Sequence, residues 1–276
     1  MRRLALLLAV IAVLAGCSGG ITPFAVVASA NGGIGVGEQR VMFALVNGET
    51  NEFLASPDRE ATVTLRDENG APLGTYPTEF VWTVEDVRGV YVSHLEIPEA
   101  GTYQVTIDAD GYETAGPVGF IASENPPLVQ RGEEAPQSVT KVAADYPDLS
   151  VMTSDPDPDP GMYQMTVKEA VTDGTPAVVV FATPAFCVSQ TCGPLLDQVK
   201  SYRSDYPGVD FVHVEIYDDL QVQSFDELTA VPATDEWGLP SEPWVFVVGA
   251  DGRVTASFEG AASDEEMRAA IDAVAS

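Results

Sequence analysis

The spacing of apolar residues changes once along this chain of 276 residues, and the change limits what each part can fold into. Over 102–107, the apolar residues Tyr103, Val105 and Ile107 alternate with polar ones, which is the period of a half-buried strand. Turn residues separate this run from its neighbours. Short strands at such spacing predict an antiparallel β-sandwich over 37–122. The other predicted strands of this part are 41–46, 61–66, 80–84, 90–97 and 117–122.

From residue 161 onward, apolar runs alternate with segments of helical periodicity. Capping-box spacings at Thr166 and Ser263 predict the start of a short helix and of the terminal helix. These patterns predict the order βαβ followed by ββα. The predicted strands are 176–183, 209–217, 244–248 and 254–258, and the predicted long helix is 188–203.

The segment 123–160, between the two parts, is rich in proline and acidic residues. It contains the run Asp155-Pro156-Asp157-Pro158-Asp159-Pro160. Proline lacks the N–H that a helix or a central strand needs, and like charges repel along the chain. The composition therefore predicts an extended acidic spacer.

The beginning of the chain has the pattern of an export signal. Arg2 and Arg3 precede an apolar run over 4–14, which is too short for a permanent membrane span. The run ends in Leu14-Ala15-Gly16-Cys17, which resembles the lipobox of prokaryotic lipoproteins. The resemblance implies cleavage before Cys17, lipidation of its thiol, and attachment to the cell membrane on the extracytoplasmic side. The alternative is a secretory peptide with an incidental cysteine. Residues 1–17 are thus predicted to be signal peptide and lipobox, and 18–36 a tether.

The charge of the chain excludes one class of partner. It carries 42 acidic and 13 basic residues, a formal net charge of −29. A field of this size and sign repels nucleic acid and anionic headgroups, so no nucleic-acid partner is expected. The excess of acid over lysine is typical of a surface adapted to salt, where screening removes self-repulsion.

Two cysteines, Cys187 and Cys192, follow the apolar run 178–181 with four residues between them. A helix N-terminus at this point would favour the thiolate. With Cys17 lipidated outside the cytoplasm, the remaining pair is consistent with one disulfide. In a regular helix, Cα atoms five residues apart are separated by roughly 8.6 Å, whereas a disulfide requires about 4.4–6.8 Å. The spacing predicts either an irregular loop over 187–190 or a first helical turn that rearranges on oxidation.

Three segments, in this order, resemble the thioredoxin fold over 161–276. They are Thr183-Pro184-Ala185-Phe186-Cys187, Pro194-Leu195-Leu196-Asp197, and 238–248 with the turn Asp251-Gly252. The resemblance is to membrane-anchored thiol–disulfide oxidoreductases. It implies that Cys187 is the nucleophile, that Cys192 resolves the mixed disulfide, and that Pro243 is a cis-proline facing Cys187. Phe186 and Glu242 are the implied substrate-binding residues.

The residues 90–103 resemble the late strands of immunoglobulin-like domains in bacterial surface proteins. Together, the two resemblances imply a two-domain chain. The N-terminal domain, 37–122, would be an all-β immunoglobulin-like sandwich, and the C-terminal domain, 161–276, an α/β thioredoxin-like fold.

The predicted function is that of a lipid-anchored extracytoplasmic thiol–disulfide oxidoreductase. It would act through Cys187 and Cys192 on a thiol- or disulfide-bearing protein, without a cofactor. The strand 178–181 lacks the buried acid of thioredoxins, so another base or water would serve the resolving thiol.

Two alternatives remain open. One is a binding protein with a structural disulfide on the same scaffold. The other is a copper-binding chaperone that uses Cys187, Cys192 and His213 as ligands, since copper prefers thiolate and imidazole. The simpler interpretation of His213 is a buried, hydrogen-bonded side chain in its strand, and that of His94 is a surface residue.

Overall fold

A computed structural model describes residues 21, 23–30, 32–222 and 224–276. The predicted signal peptide and lipobox, with the lipidation site Cys17, lie outside these residues. Among the helices of the described ranges, none is long and apolar enough to cross a membrane.

Twelve strands and four α-helices form the regular structure of the described residues. The strands are β1 (Pro23–Val27), β2 (Gly37–Asn47), β3 (Ala61–Arg66), β4 (Pro72–Pro77), β5 (Glu79–Val84), β6 (Arg88–Ile97), β7 (Gly101–Ala109), β8 (Ala115–Ala122), β9 (Ala177–Ala182), β10 (Asp210–Glu215), β11 (Trp244–Val248) and β12 (Val254–Glu259). The helices are α1 (Val167–Ala170), α2 (Cys192–Tyr202), α3 (Pro232–Glu236) and α4 (Asp264–Ala275).

The first eight strands form two antiparallel sheets that face each other. Their orders are β1-β2-β6-β5 and β4-β3-β7-β8. Alternate residues of the strands point into a shared core, as in β3, where Val63 and Leu65 are fully buried. The predicted β-sandwich is therefore confirmed. Two strands, β1 and β4, were not predicted, and β1 lies within the predicted tether 18–36.

The third sheet has the order β10-β9-β11-β12, in which β9 and β10 are parallel and β11 is antiparallel to β9 and β12. The central strand β9 is buried at every residue. One face of the sheet packs on α2 and α4, and the other on α1, α3 and part of the segment 123–160.

The fold class predicted from the sequence is wrong. The described chain is mostly β, with three four-stranded sheets and only four short helices, and it has no clear α/β thioredoxin-like domain over 161–276. The predicted helix 188–203 starts late, at Cys192. Helices α1 and α3 have only 4 and 5 residues, so irregular chain supplies much of the cover of the third sheet.

The acidic segment 123–160 differs from the extended spacer that its composition predicts, because it is packed against the third sheet. Leu128 and Val129 are buried in the same cluster as Trp237. Gly238 has a φ of +62°, and a Cβ there would lie 1.8 Å from the Pro127 carbonyl oxygen, so only glycine fits at this close approach. Further along, Asp155 is buried.

Polar and apolar contacts join the sandwich to the C-terminal part. Arg40 Nε on β2 lies 2.8 Å from Glu266 Oε1 on α4. The Glu259 carboxylate accepts a hydrogen bond of 3.0 Å from the Ala30 backbone N–H. Met42 lies in an apolar cluster of sandwich residues, to which the C-terminal part contributes Ala261. These contacts hold β2 and its neighbours against the segment between β12 and α4.

Candidate functional site

Cys187 and Cys192 form a disulfide with a Cα–Cα distance of 6.0 Å. The pair can close because α2 begins at Cys192, which leaves the preceding residues out of the helix. Gln190 has a φ of +63°, in the left-handed region that a non-glycine residue enters only in tight turns. The predicted disulfide is confirmed, and in this disulfide-bonded form residues 187–190 lie outside the helix. Thr191 occupies the N-cap position of α2 without a side-chain capping bond.

The two cysteines differ in accessibility. Cys192 is fully buried, whereas Cys187 is partly exposed. The Cys192 backbone N–H donates to Cys187 Sγ at 3.3 Å, and Ser189 Oγ lies 3.1 Å from the same sulfur. Both donors and the N-terminus of α2 would stabilise negative charge on Cys187 after reduction.

The residues predicted to bind substrate lie around the end of β9 that leads to the disulfide. The Phe186 ring meets the Tyr217 ring edge-on, with centroids 6.0 Å apart. Burial, and next the nearby Glu242 carboxylate, raise the pKa of Tyr217. Burial also raises the pKa of Glu242 itself. Phe186, Tyr217 and Glu242 therefore share one region at the end of the third sheet.

Pro243 follows a cis peptide bond after Glu242 and is buried. Its neighbour Trp244 pairs with Phe181 in the antiparallel register of β11 and β9, so Pro243 lies next to the end of β9. Sequence reasoning missed Tyr217. Its place at the end of the predicted strand 209–217, parallel to the cysteine-bearing strand, was the available signal.

A buried carboxylate, Glu215, lies on β10 rather than on β9, the strand that leads to the cysteines. The Ser154 backbone N–H and hydroxyl each donate to Glu215 Oε2 at 2.7 Å. The same hydroxyl accepts the Ala185 N–H at 3.2 Å, two residues before Cys187. Burial raises the pKa of Glu215, and bonds from Thr183 and Ser154 oppose that rise. An acidic residue ending an otherwise apolar strand was the signal for it.

His213 is buried and both of its ring nitrogens are engaged. Nδ1 lies 2.7 Å from the Tyr163 hydroxyl, and Nε2 lies 3.1 Å from the Ala182 carbonyl oxygen. Burial lowers the pKa of His213 to about 4. The predicted buried, hydrogen-bonded histidine is confirmed. The structure does not assemble a site from Cys187, Cys192 and His213, and its described residues contain no metal-holding group of three or more such side chains.

His94 and Arg88 belong to the sandwich, and they lie in different surroundings. The His94 side chain is 55% exposed, as predicted for a surface residue, and lies near Glu38.

Arg88, the first residue of β6, donates from its guanidinium to the Ser189 carbonyl oxygen. The sandwich therefore contacts the disulfide loop directly, which no pattern in the sequence indicated.

The solved structures described below resemble this chain only weakly. No protein-family model and no curated protein matches the chain. Among solved structures, the filamin domain of Lin-41 is 13% identical to this chain. The aligned region covers 37% of this chain and 93% of the Lin-41 chain, with a TM-score of 0.24. A superoxide reductase (neelaredoxin) variant from Archaeoglobus fulgidus is 14% identical to this chain. The aligned region covers 38% of this chain and 90% of the reductase chain, with a TM-score of 0.20. At such scores neither likeness carries an argument about function.

Proposed function

We propose that this protein exchanges thiols and disulfides through Cys187 and Cys192, as a lipoprotein held at the extracytoplasmic membrane surface by Cys17. The observation that carries the proposal is the asymmetry of the disulfide. Cys187 is partly exposed and its sulfur lies beside hydrogen-bond donors, while Cys192 is buried at the start of α2. This arrangement supports a catalytic pair, because exchange needs one accessible, stabilised sulfur.

The exchange begins with a thiolate of the partner protein. It attacks Cys187 Sγ, a new sulfur–sulfur bond forms there, and the bond to Cys192 breaks. The electron pair goes to Cys192 Sγ, which then takes a proton. A second thiolate of the partner attacks its own sulfur in the mixed disulfide and releases Cys187 as thiolate. The partner dithiol is thereby oxidised and the cysteine pair reduced, and the reverse sequence oxidises the pair.

Other residues of the site have supporting roles in this proposal. Phe186, Glu242 and Pro243 would contact the partner segment beside Cys187. Glu215 would act as a positioning residue, because its bonds to Ser154 fix the backbone at Ala185.

The test uses the full chain after reduction with a small dithiol. We expect the Cys187 thiol to react with iodoacetamide with an apparent pKa below the ordinary value of about 8.5. Cys187→Ser should abolish exchange, and Cys192→Ser should accumulate a mixed disulfide. Ser189→Ala should raise the pKa of the Cys187 thiol because it removes a donor. Ser204→Ala is the matched control, because it lies beyond the end of α2.

An ordinary thiol pKa together with unchanged exchange in Cys187→Ser would overturn the proposal. A reduction potential below about −300 mV would instead identify a structural disulfide, which is the binding-protein alternative.

A further inference from the structure

A groove of about 410 Å³ lies between the sandwich and α2, next to the disulfide. One wall is the stretch 80–83 of β5, and the other is Pro194, Leu195 and Gln198 of α2. Residues 260–264, which connect β12 to the first residue of α4, complete the lining. The groove is therefore built jointly by the sandwich and the C-terminal part.

The groove meets β5 at its free edge. In the sheet order β1-β2-β6-β5, β5 is the last strand, so within the described part of the chain one side of its backbone has no neighbouring strand. Successive side chains of a strand point to opposite faces, yet four consecutive residues, Phe80 to Thr83, line the groove. Consecutive residues can line one cavity where the cavity runs along the edge of the strand. Such an edge can accept a further strand from an extended segment.

The groove ends beside the disulfide loop. Pro194 lines it and follows Cys192 by two residues on α2. At the other wall, the hairpin of β5 and β6 leads to Arg88, which donates to the Ser189 carbonyl within the loop. An extended segment on β5 would thus run toward the sulfur of Cys187.

Charge favours a basic occupant. The charged side chains that line the groove, Glu85 and Asp264, are both acidic. Asp264 Oδ2 also accepts a hydrogen bond of 3.0 Å from Arg268 Nε. The chain as a whole carries a formal net charge of −29. A cationic segment is steered toward such a surface and an anionic one is repelled. Trp82, which is 37% exposed and stacks edge-on with Phe80, offers an apolar contact in the same wall.

We propose that this groove binds an extended, basic, cysteine-bearing segment of the partner protein, which adds as a strand to β5 and presents its cysteine to Cys187. The inference rests on the proposed exchange function and names the class of substrate for it. The sandwich then supplies half of the binding site.

The test uses full-length Cys192→Ser and synthetic peptides whose single cysteine carries a thionitrobenzoate leaving group. The Cys187 thiolate attacks the peptide sulfur, and thionitrobenzoate leaves as a coloured thiolate. Rates are divided by that of a small hydroxyethyl disulfide with the same leaving group. We expect a lysine-flanked β-forming peptide to react about tenfold faster than its N-methylated or glutamate-flanked counterparts, because the N-methylated peptide loses backbone hydrogen bonds to β5 and the glutamate-flanked one is repelled by the acidic surface. Trp82→Ala should reduce this preference severalfold.

Leu73→Ala is the matched control, because Leu73 is equally an exposed apolar residue on an edge strand, β4, of the other sheet. It should leave the preference unchanged. In the trapped peptide adduct, amide hydrogen exchange along β5 should slow relative to the hydroxyethyl adduct. Equal relative rates for all three peptides, or no slowing along β5, would overturn the inference. If even the small disulfide fails to react, the proposed exchange function itself fails.

Discussion

The imidazole of His213 shows how strongly burial acts on a single residue in this protein. Its two nitrogens are hydrogen-bonded, yet burial lowers its pKa to about 4, with the Asp155 charge opposing that fall and the Lys200 charge adding to it. Lys200 Nζ and Asp155 Oδ2 are themselves paired at 2.8 Å. The ring is therefore neutral over the range in which an exposed histidine would gain a proton.

The free energy of unfolding should fall as the pH drops from about 6.5 to about 4. The unfolded chain binds a proton at His213 below its ordinary pKa, whereas the folded chain does so only near 4. This difference in pKa between the folded and the unfolded chain corresponds to about 3 kcal/mol in the free energy of unfolding. The measurement is urea unfolding at a series of pH values, in parallel with His213→Gln, whose curve should be flatter. Identical pH dependence in the two proteins would contradict the prediction.

Glu215 contributes the opposite slope, so the two residues can be separated. Its pKa is raised by burial, and the folded state therefore holds the proton more tightly than the unfolded state does. Its contribution to stability is present below the ordinary glutamate pKa and is lost as the pH rises through the higher folded value. The His213 comparison is consequently best made within a Glu215→Gln background as well.

At the scale of elements, the sequence predicted strands better than helices. The alternation over 102–107 located β7, and both predicted capping boxes, at Thr166 and Ser263, are present. Strand β4 was missed because proline lies at both of its ends and no buried residue marks its period. The start of α2 at Cys192 accompanies a bond between two side chains, which local propensity does not contain.

The fold class predicted for residues 161–276 was wrong for a related reason. Alternating runs fix the order of elements along the chain, but not how long each helix becomes or what else covers a sheet. Leu128, Val129 and Ala135 pack on the third sheet although their acidic, proline-rich surroundings predicted a spacer. In the site, the cysteines could be predicted, whereas the contact of Arg88 with Ser189 joins residues about a hundred positions apart and leaves no local pattern.

Removing the cap of α4 should destabilise the protein. Ser263 Oγ accepts the Glu266 N–H at 3.1 Å, and Glu266 Oε2 accepts the Ser263 N–H at 3.0 Å. Ser263→Ala should lower the free energy of unfolding by about 1 kcal/mol, because a helix N–H loses its partner. Ser201→Ala, which removes a hydroxyl bonded only within α2, should change it by less than about 0.5 kcal/mol in the same urea titration. Equal effects would contradict the assignment.

The whole molecule is dominated by its negative charge. With 42 acidic and 13 basic residues, repulsion between carboxylates opposes the compact state. Few ion pairs within the described residues are shielded from solvent, and the partly buried pair of Arg40 with Glu266 is one of them. Salt weakens long-range repulsion more than it weakens such a pair, because buried charges are less accessible to ions.

Stability at neutral pH should therefore rise with salt. Raising KCl from about 0.1 M to about 1 M shortens the Debye length from about 10 Å to about 3 Å. We expect a higher midpoint of thermal unfolding at the higher concentration. The control is the same comparison near pH ~4, where many carboxylates are protonated and the salt effect should shrink. A lower midpoint in high salt at neutral pH would show that ion pairs outweigh repulsion.

The apolar cluster around Met42 and Ala261 has a practical consequence. Six of its seven members belong to β2, β5 and β6, and Ala261 belongs to the segment before α4. Cutting the chain after residue 122 would uncover this patch together with the charged partners Arg40 and Glu266. Fragments expressed separately would each expose apolar surface that is buried in the full chain. Recombinant work on either half should therefore keep both halves in one polypeptide.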